Sequence, residues 1–383
     1  MSLEDLSFNR AEIDLAALKA NFRALRKYAP LRPMMAVVKA DAYGHGLMEC
    51  ARALVEAEAR DFGVLDVVEG CRLRAAQLGK IDIHVLAGLQ TREQAQAALA
   101  HDLVLVIYSL PQLRALEELV PSGSQAQAYL KIDSGMGRLG LPWWEAQAVL
   151  PALTRQKKIH FRGFLTHLAT AGDQEAKTQL ERFQKIVELD QTLGLTAGRH
   201  SALAGPGLLA FPEYHDQFSR AGLLLYGANP LAGSDALISA KGLNLLKKLK
   251  PVMTVASQVI QTRTVRAGES LSYDRTFRAS ENLRVAVLPI GYAHGLSRSR
   301  SNQGGVLING RLAPLLGRVC MNLSLYDVSQ IPKAQPGQRA VLVGLAGRAR
   351  VSMSQAASWQ GTSAYETMCL FGRLNPRFYL DHN

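Results

Sequence analysis

The chain has 383 residues, 48% hydrophobic and 20% charged, with a formal net charge of +12. These proportions are ordinary for a soluble globular protein with one large or two medium domains. No stretch approaches about 18 uninterrupted apolar residues, and no basic segment precedes an apolar run at the N-terminus, so we expect a cytoplasmic protein without a membrane span. The basic residues are scattered and interleave no nucleic-acid motif, so we interpret them as a solvated surface. The four cysteines form no CxxC pair, which indicates neither a disulfide framework nor a metal site.

Short β-rich runs alternate with helical segments along the first 245 residues. Residues 47–60 (LMECARALVEAEAR) and 91–100 (TREQAQAALA) have the periodicity and composition of helices. Eight strands alternating with helices are typical of a (β/α)8 TIM-type barrel. We predict the strands at 34–40, 61–66, 83–88, 103–109, 128–133, 160–167, 200–205 and 220–227.

The pattern changes near residue 246. The later segments MTVASQVIQTRTV, LRVAVLPIG, GGVLINGRLAPLLG and QRAVLVG are strand-like and punctuated by glycine. The sequence therefore predicts two domains, a barrel at 1–245 and a mainly β domain at 246–383.

Polar residues stand at the ends of several predicted barrel strands, where the functional residues of such barrels lie. A lysine that ends a buried strand is costly unless its ammonium is paired, solvated or deprotonated. Each of these residues taken singly could be structural or solvated, but six together favour a site. They are Lys39, Lys131, Asp133, His167, His200 and Arg220.

Several motifs occur in order along nearly the whole chain. They are VVKADAYGHG (37–46), KIDSGMGRLG (131–140), RAGLLLYG (220–227), SYDRTF (272–277), GYAHG (291–295) and GRVCMN (317–322). With them the sequence resembles the bacterial alanine racemases, pyridoxal-phosphate (PLP) enzymes of fold type III. The resemblance implies interconversion of L- and D-alanine, which supplies D-alanine for peptidoglycan.

The resemblance also assigns the cofactor contacts. Lys39 would form a Schiff base with PLP, a role that needs an amine able to lose its proton in a partly dry site. Arg220 would face the pyridine nitrogen, and because arginine cannot accept a proton it favours reprotonation at Cα over transamination. The residues matched to the phosphate are Tyr43, Gly222, Leu223 and Tyr365.

Inversion at Cα needs an acid–base group on each face of the substrate. The resemblance implies that Lys39 serves the D face and Tyr273 the L face. His167 would bond Tyr273 and connect it to Arg220, and we expect it to be the positive neighbour that favours the phenolate. In the family this tyrosine reaches the barrel of the other subunit, which implies a head-to-tail homodimer.

Further residues match the family's substrate-binding positions. Arg138 would pair the substrate carboxylate, a task suited to a planar guanidinium. Met321 would contribute its backbone amide from the second subunit. Lys131 matches a lysine that is carbamylated in many members, and we include His200 as a supporting residue.

Four positions depart from the family pattern. Leu203 and Ala204 stand where an asparagine and a phosphate-binding serine are usual, so one cofactor contact is expected to be lost. His294 and Asn322 replace aspartates that lie toward the substrate entrance. These last two changes could relax selectivity among amino-acid side chains.

Three alternatives bear on the assignment. A broad-spectrum racemase acting on lysine, arginine or serine has the same fold, although its best-known members carry a secretion signal. A non-catalytic PLP-binding protein would be a lone barrel without Tyr273. A fold-type III decarboxylase would be expected to place an acid where Arg220 stands.

Overall fold

The computed structural model describes residues 6–31, 33–215, 218–232 and 238–381. Parallel strands in the first part of the chain pair in sequence order, and the last of them returns to pair with the first. The predicted barrel is thereby confirmed as the fold class. Its regular strands are Met34–Val37, Asp61–Val64, Asp82–Val85, Val104–Ile107, Ala126–Asp133, Ile159–Leu165 and Ser219–Ala221.

The last two predicted strands are corrected. Segment 200–205 forms no regular strand and makes one isolated bridge, between Leu165 and Ser201. Backbone bonds from Ser201 N to Phe164 O (2.8 Å) and from Phe218 N to His200 O (2.9 Å) still join it to both neighbours and close the barrel. The segment then leads into the Gly205–Ala210 helix, which has a proline in its first turn. The eighth strand ends at Ala221, before a 3₁₀ helix.

The barrel strands and helices follow from local sequence. Strands such as MMAV and VLVI are buried along their whole length, as expected for a parallel sheet covered on both faces. Asp66 and Asp173 cap helices by accepting amide hydrogens from residues three positions on. The helices are Leu15–Tyr28, Leu47–Glu56, Val67–Ala75, Arg92–Ala100, Leu110–Leu119, Trp143–Leu153, Gln174–Leu193, Gly205–Ala210, Ala240–Lys248, Met353–Gln360 and Ala364–Leu374. None of the helices in the described ranges is both long and apolar enough to span a membrane.

The later part of the chain forms a large, mostly antiparallel sheet, which confirms the mainly β character. Its first strand comes from the N-terminus and pairs with strands near residues 253 and 377. The boundary at 245/246 stays a prediction, and residues 10–14 belong to the later sheet. In spatial order the strands are Gln261–Val265, Leu283–Leu288, Ser324–Asp327, Arg311–Leu316, Gly305–Ile308, Arg339–Ala346, Met253–Gln258, Arg10–Asp14 and Arg377–Leu380.

The C-terminal helix Ala364–Leu374 packs on the loop that follows the first barrel strand. A Cβ added at Gly372 would lie 2.0 Å from the Gly44 carbonyl oxygen, so only glycine allows this approach. The close contact brings the C-terminal elements to the mouth of the barrel.

Candidate active site

A cavity of ≈ 560 Å³ lies at the carboxyl ends of the barrel strands. Its apolar wall includes Leu65, Leu86 and Leu139. The fold brings most of the predicted site residues to this one cavity. These are Lys39, Tyr43, Lys131, Arg138, His167, Arg220, Gly222, Leu223 and Tyr365.

Lys39 begins a turn with an unusual backbone. Ala40, Asp41, Ala42 and Tyr43 have φ angles of 56°, 57°, 53° and 54°. L-residues normally adopt this left-handed conformation singly, because their Cβ crowds the following carbonyl. The turn lets Lys39 and Tyr43 both line the cavity.

The Lys39 amine is prepared to lose its proton. Burial lowers the pKa of Lys39, and the nearby Arg138 and Arg220 cations lower it further. A lowered pKa means that a larger fraction of the amine is neutral, and therefore nucleophilic, at a given pH.

The charge of the cavity is uniformly positive. Four basic side chains line it, and none of its lining residues in the described part of the chain is Asp or Glu. Such a wall concentrates anions and suits a ligand with more than one negative group. The basic residues are Lys39, Lys131, Arg138 and Arg220.

One end of the cavity forms a cradle for an anion. A Cβ added at Gly222 would lie 2.8 Å from the Tyr43 hydroxyl, so the backbone at this glycine closely approaches the tyrosine hydroxyl. The rings of Tyr43 and Tyr365 lie 6.0 Å apart, and burial raises the pKa of both, which keeps their hydroxyls as donors. Leu223 opens a 3₁₀ helix, whose first amides lack partners within the helix. These donors fit a phosphate ester.

The buried Arg220 guanidinium is held by several acceptors. Nη1 donates to Ser201 O (3.0 Å) and to Ser201 Oγ (2.5 Å). Nη2 donates to Thr166 O (2.8 Å) and His167 Nδ1 (3.2 Å). This network occupies both terminal nitrogens and fixes the plane of the guanidinium.

The contact with Arg220 corrects the expected charge of His167. Burial and the adjacent Arg220 cation lower the pKa of His167 to about 2. A neutral His167 that accepts at Nδ1 carries its hydrogen on Nε2. Its Nε2–H is therefore available as a hydrogen-bond donor, and the positive charge belongs to Arg220.

His200 is not among the described residues that line the cavity, and its role as a supporting residue stays a prediction. It accepts from Phe164 N (3.2 Å) and lies 3.5 Å from Asp190. Neighbouring residues of an extended chain point to opposite sides, and Ser201 is the one that faces Arg220. Sequence reasoning missed this role of Ser201, although the alternation around a predicted strand offered a signal.

Arg138 and Lys131 lie on either side of an ordered loop. The Asp133 carboxylate accepts amide hydrogens from Gly135, Met136 and Gly137 at 2.8–3.0 Å, which shapes the loop that carries Arg138. Burial, with Arg220 and Arg138 nearby, lowers the pKa of Lys131 to about 7. A partly neutral amine can take up carbon dioxide, so carbamylation of Lys131 stays a prediction.

Neither Tyr273 nor Met321 is among the described residues that line the Lys39 cavity of their own chain. Their side chains are 64% and 56% exposed. The Asp274 carboxylate lies 3.3 Å from both Arg298 and Arg318, and these pairs hold the loop while leaving the tyrosine ring exposed. One chain alone therefore does not complete the predicted site.

The departures from the family pattern have different surroundings. Ala204 lines the cavity and precedes the Gly205–Ala210 helix, which has no side-chain cap. Leu203 is fully buried, within 3.0 Å of a Cβ built on Gly207. His294 accepts from Gly291 N (3.3 Å). Neither His294 nor Asn322 is among the described lining residues, and their place at the entrance stays a prediction.

The barrel, its lysine and arginine in a cationic cavity, and the β-rich second part define a fold-type III PLP enzyme. The alanine racemase N-terminal domain model matches residues 13–230, and the C-terminal domain model matches residues 252–379. The chain belongs to the alanine racemase family.

Relatives agree over the full length. The alanine racemase of Syntrophobacter fumaroxidans is 38% identical over 378 residues, with 97% of each chain covered. The structure of alanine racemase from Streptomyces coelicolor A3(2) has a TM-score of 0.90 and 31% identity, covering 100% of both chains. The Bartonella henselae alanine racemase structure, with covalently bound pyridoxal phosphate, has a TM-score of 0.85 at 26% identity and covers 98% of this chain and 100% of its own.

Proposed function

We propose that this protein is a PLP-dependent alanine racemase that interconverts L- and D-alanine and supplies D-alanine for peptidoglycan. The observation that carries the proposal is the cationic cavity, in which Lys39 has a lowered pKa and Arg220 is fixed by Ser201, Thr166 and His167. The family assignment supports the same conclusion.

The residues present fit the cofactor. PLP, when bound, supplies an electron-withdrawing ring that acidifies the Cα–H bond of an attached amino acid. Lys39 would be the attachment point, because it lines the cavity just after the first barrel strand and burial lowers its pKa. Tyr43, Tyr365 and the backbone at Gly222 and Leu223 would hold the phosphate. The guanidinium of Arg220 stays charged and cannot take up a proton at the ring nitrogen.

Two groups of this protein move the proton. The Lys39 amine removes or returns it on the D face, and the Tyr273 hydroxyl does so on the L face. His167 Nε2–H would donate to the Tyr273 oxygen and favour its deprotonated form. Arg138 would hold the substrate carboxylate, assisted by the backbone amide of Met321.

The separation of Tyr273 from its own cavity supports a head-to-tail homodimer with shared sites. Backbone bonds join Met321 to Ala293 and Cys320 to Leu323, so Met321 and Leu323 form part of one exposed surface. Their side chains are 56% and 41% exposed. Burying such a surface against a second copy would remove it from water.

The wall of the cavity favours alanine over dibasic substrates. Leu65, Leu86 and Leu139 line it, and no carboxylate of the described lining could pair a second substrate cation. We expect D-alanine to form from L-alanine at least about tenfold faster than lysine or arginine is racemised. Chiral chromatography of each amino acid incubated with the pure enzyme measures this. Comparable rates across the panel would instead identify a broad-spectrum racemase.

Substituting Ala204 tests the missing phosphate contact. A charge-assisted hydrogen bond contributes about 1.5–3 kcal/mol, and water recovers part of it, so Ala204→Ser should slow PLP loss during dialysis by about tenfold. Ser201 does not fill the gap, because its hydroxyl donates to Phe218 O and accepts from Arg220.

A control separates this gain from helix capping, since the hydroxyl introduced by Ala204→Ser could also cap the Gly205–Ala210 helix. The melting temperature of the apoprotein reports capping alone, without the phosphate. Substrate preference should not change. Equal or faster PLP loss from Ala204→Ser would show that another group already satisfies the phosphate.

A further inference from the structure

We propose that Asp41 and Arg377 form a latch that holds the left-handed turn of residues 39–46, and are thus positioning residues for the active site. This inference rests on the proposed function of Lys39 and Tyr43, which the turn carries. Asp41 belongs to the VVKADAYGHG motif, and neither the cofactor nor the substrate contacts account for it.

The turn needs an external restraint. Each non-glycine residue in the left-handed region is strained, because its Cβ crowds the following carbonyl. Ala40, Asp41, Ala42 and Tyr43 adopt it in succession, and none is glycine. Such a segment persists only where surrounding contacts determine it.

Asp41 supplies contacts on three sides. Oδ1 accepts from Leu47 N at 2.7 Å, which ties the turn to the start of the next helix. The Asp41 amide donates to Glu69 Oε1 at 3.1 Å, and Glu69 Oε2 accepts from Leu65 N at 2.9 Å. Oδ2 pairs with Arg377 Nη1.

Arg377 brings the later sheet to the turn. It begins the strand Arg377–Leu380, which pairs with Arg10–Asp14. Its Nη1 also donates to Gly44 O at 3.3 Å, so one guanidinium bonds both a side chain and the backbone of the turn. The neighbouring Tyr379 packs against Gly46, where a Cβ would lie 1.9 Å from the tyrosine hydroxyl.

The inner side of the turn is held by a neutral histidine. His45 is fully buried, and burial lowers its pKa to about 4. Its Nδ1 lies 2.9 Å from Ala42 O and 3.1 Å from Tyr43 O, and its ring contacts that of Tyr226. The uncharged His45 ring thus contacts the carbonyl oxygens on the inner side of the turn. The charged groups that restrain the turn, Asp41 and Arg377, lie on its outer side.

The latch acts by placement and not by charge at the reacting amine. Besides burial, the charged groups with the largest effects on the pKa of Lys39 are Arg138, Arg220 and Glu69, all outside the Asp41–Arg377 pair. Loss of the latch should therefore misplace Lys39 and Tyr43 without removing any group that contacts the ligand.

The test compares variants of the full-length holoenzyme. Arg377→Met and Asp41→Asn each break the pair, and Arg377→Lys keeps the positive charge. Arg339→Met is the matched control. Arg339 also joins two strands through an ion pair, since both of its terminal nitrogens lie 2.6 Å from the Glu12 carboxylate. This pair contacts neither the turn nor the cavity. The first readout is amide hydrogen exchange of residues 39–47, measured with no PLP added to the buffer. The second is the rate at which the enzyme releases PLP, and the third is kcat and KM, each expressed per bound PLP.

We expect Arg377→Met and Asp41→Asn each to raise exchange in 39–47 and PLP release by at least about tenfold, and to lower kcat more than they change KM. The double variant should show no larger change in exchange, PLP release or kcat than the more affected single variant, since both substitutions remove the same Asp41–Arg377 interaction. Arg377→Lys should recover part of each effect, and Arg339→Met should change none by more than about twofold.

Two results would overturn the latch. One is exchange in 39–47 of Arg377→Met that matches the Arg339→Met control. The other is increased exchange with unchanged PLP release and kcat, which would leave a purely structural pair. A different result would contradict the proposed function. If Lys39 does not bind PLP, borohydride treatment of the parent holoenzyme would leave Lys39 unlabelled, while hydrogen exchange would still report whether the latch holds the turn.

Discussion

Lys39→Ala is expected to abolish racemisation in both directions, by at least about 10³–10⁴-fold. The substitution removes both the attachment point and the D-face acid–base group, and a positioned proton-transfer group alone contributes about 10²–10⁴-fold. Lys131 lines the same cavity but lies on a different strand, so we expect that it does not take over the attachment. The rates of L-to-D and D-to-L conversion measure the effect.

Borohydride reduction and peptide mapping provide the accompanying evidence. In the parent protein the pyridoxyl group should be found on Lys39, and Lys39→Ala should leave the chain unlabelled. Lys158→Ala is a suitable control, since Lys158 donates to the Glu117 carbonyl on the barrel exterior. A label on any lysine other than Lys39 would contradict the assignment.

Tyr273→Phe should slow racemisation by about 10²–10⁴-fold while exchange of the D-alanine α-proton with solvent persists. The asymmetry follows from the two faces, because Lys39 remains on the D face and no acid–base group remains on the L face. The measurement is deuterium incorporation from D₂O into each enantiomer, followed by mass spectrometry. Parent turnover in both directions would show that Tyr273 is not the second base.

Mixing two inactive variants tests whether sites are shared between subunits. In a heterodimer of Lys39→Ala and Tyr273→Phe chains, one site combines an intact Lys39 with the partner's intact Tyr273. Random pairing of equal amounts makes half of the dimers mixed, and each mixed dimer has one intact site out of two. About a quarter of the parent activity should therefore return. A mixture that stays inactive after confirmed subunit exchange would mean that each site is built within one chain.

Much of the fold and site could be predicted from the sequence, because it depends on local patterns. Buried runs such as MMAV and VLVI identify strands whatever surrounds them. Polar residues near the ends of such strands share one end of a barrel, so Lys39, Lys131 and Arg220 were expected together, and the structure brings them to one cavity. The seventh strand was harder to predict, since the ladder at Ser201 depends on partners far along the chain.

The tertiary structure decided which atoms meet, and hence their charge states. His167 is neutral because folding buries it and places the Arg220 guanidinium 3.2 Å from Nδ1. The resemblance implied this contact, but no local sequence pattern showed that burial would remove the charge of the histidine. Ser201 rather than His200 faces Arg220 because the chain alternates sides at this point of the barrel wall. The left-handed turn after Lys39 is likewise held by Arg377, a residue 336 positions from Asp41. Contacts between such distant residues arise only when both parts of the chain pack together, so the sequence determined the kinds of groups available and the packing determined their roles.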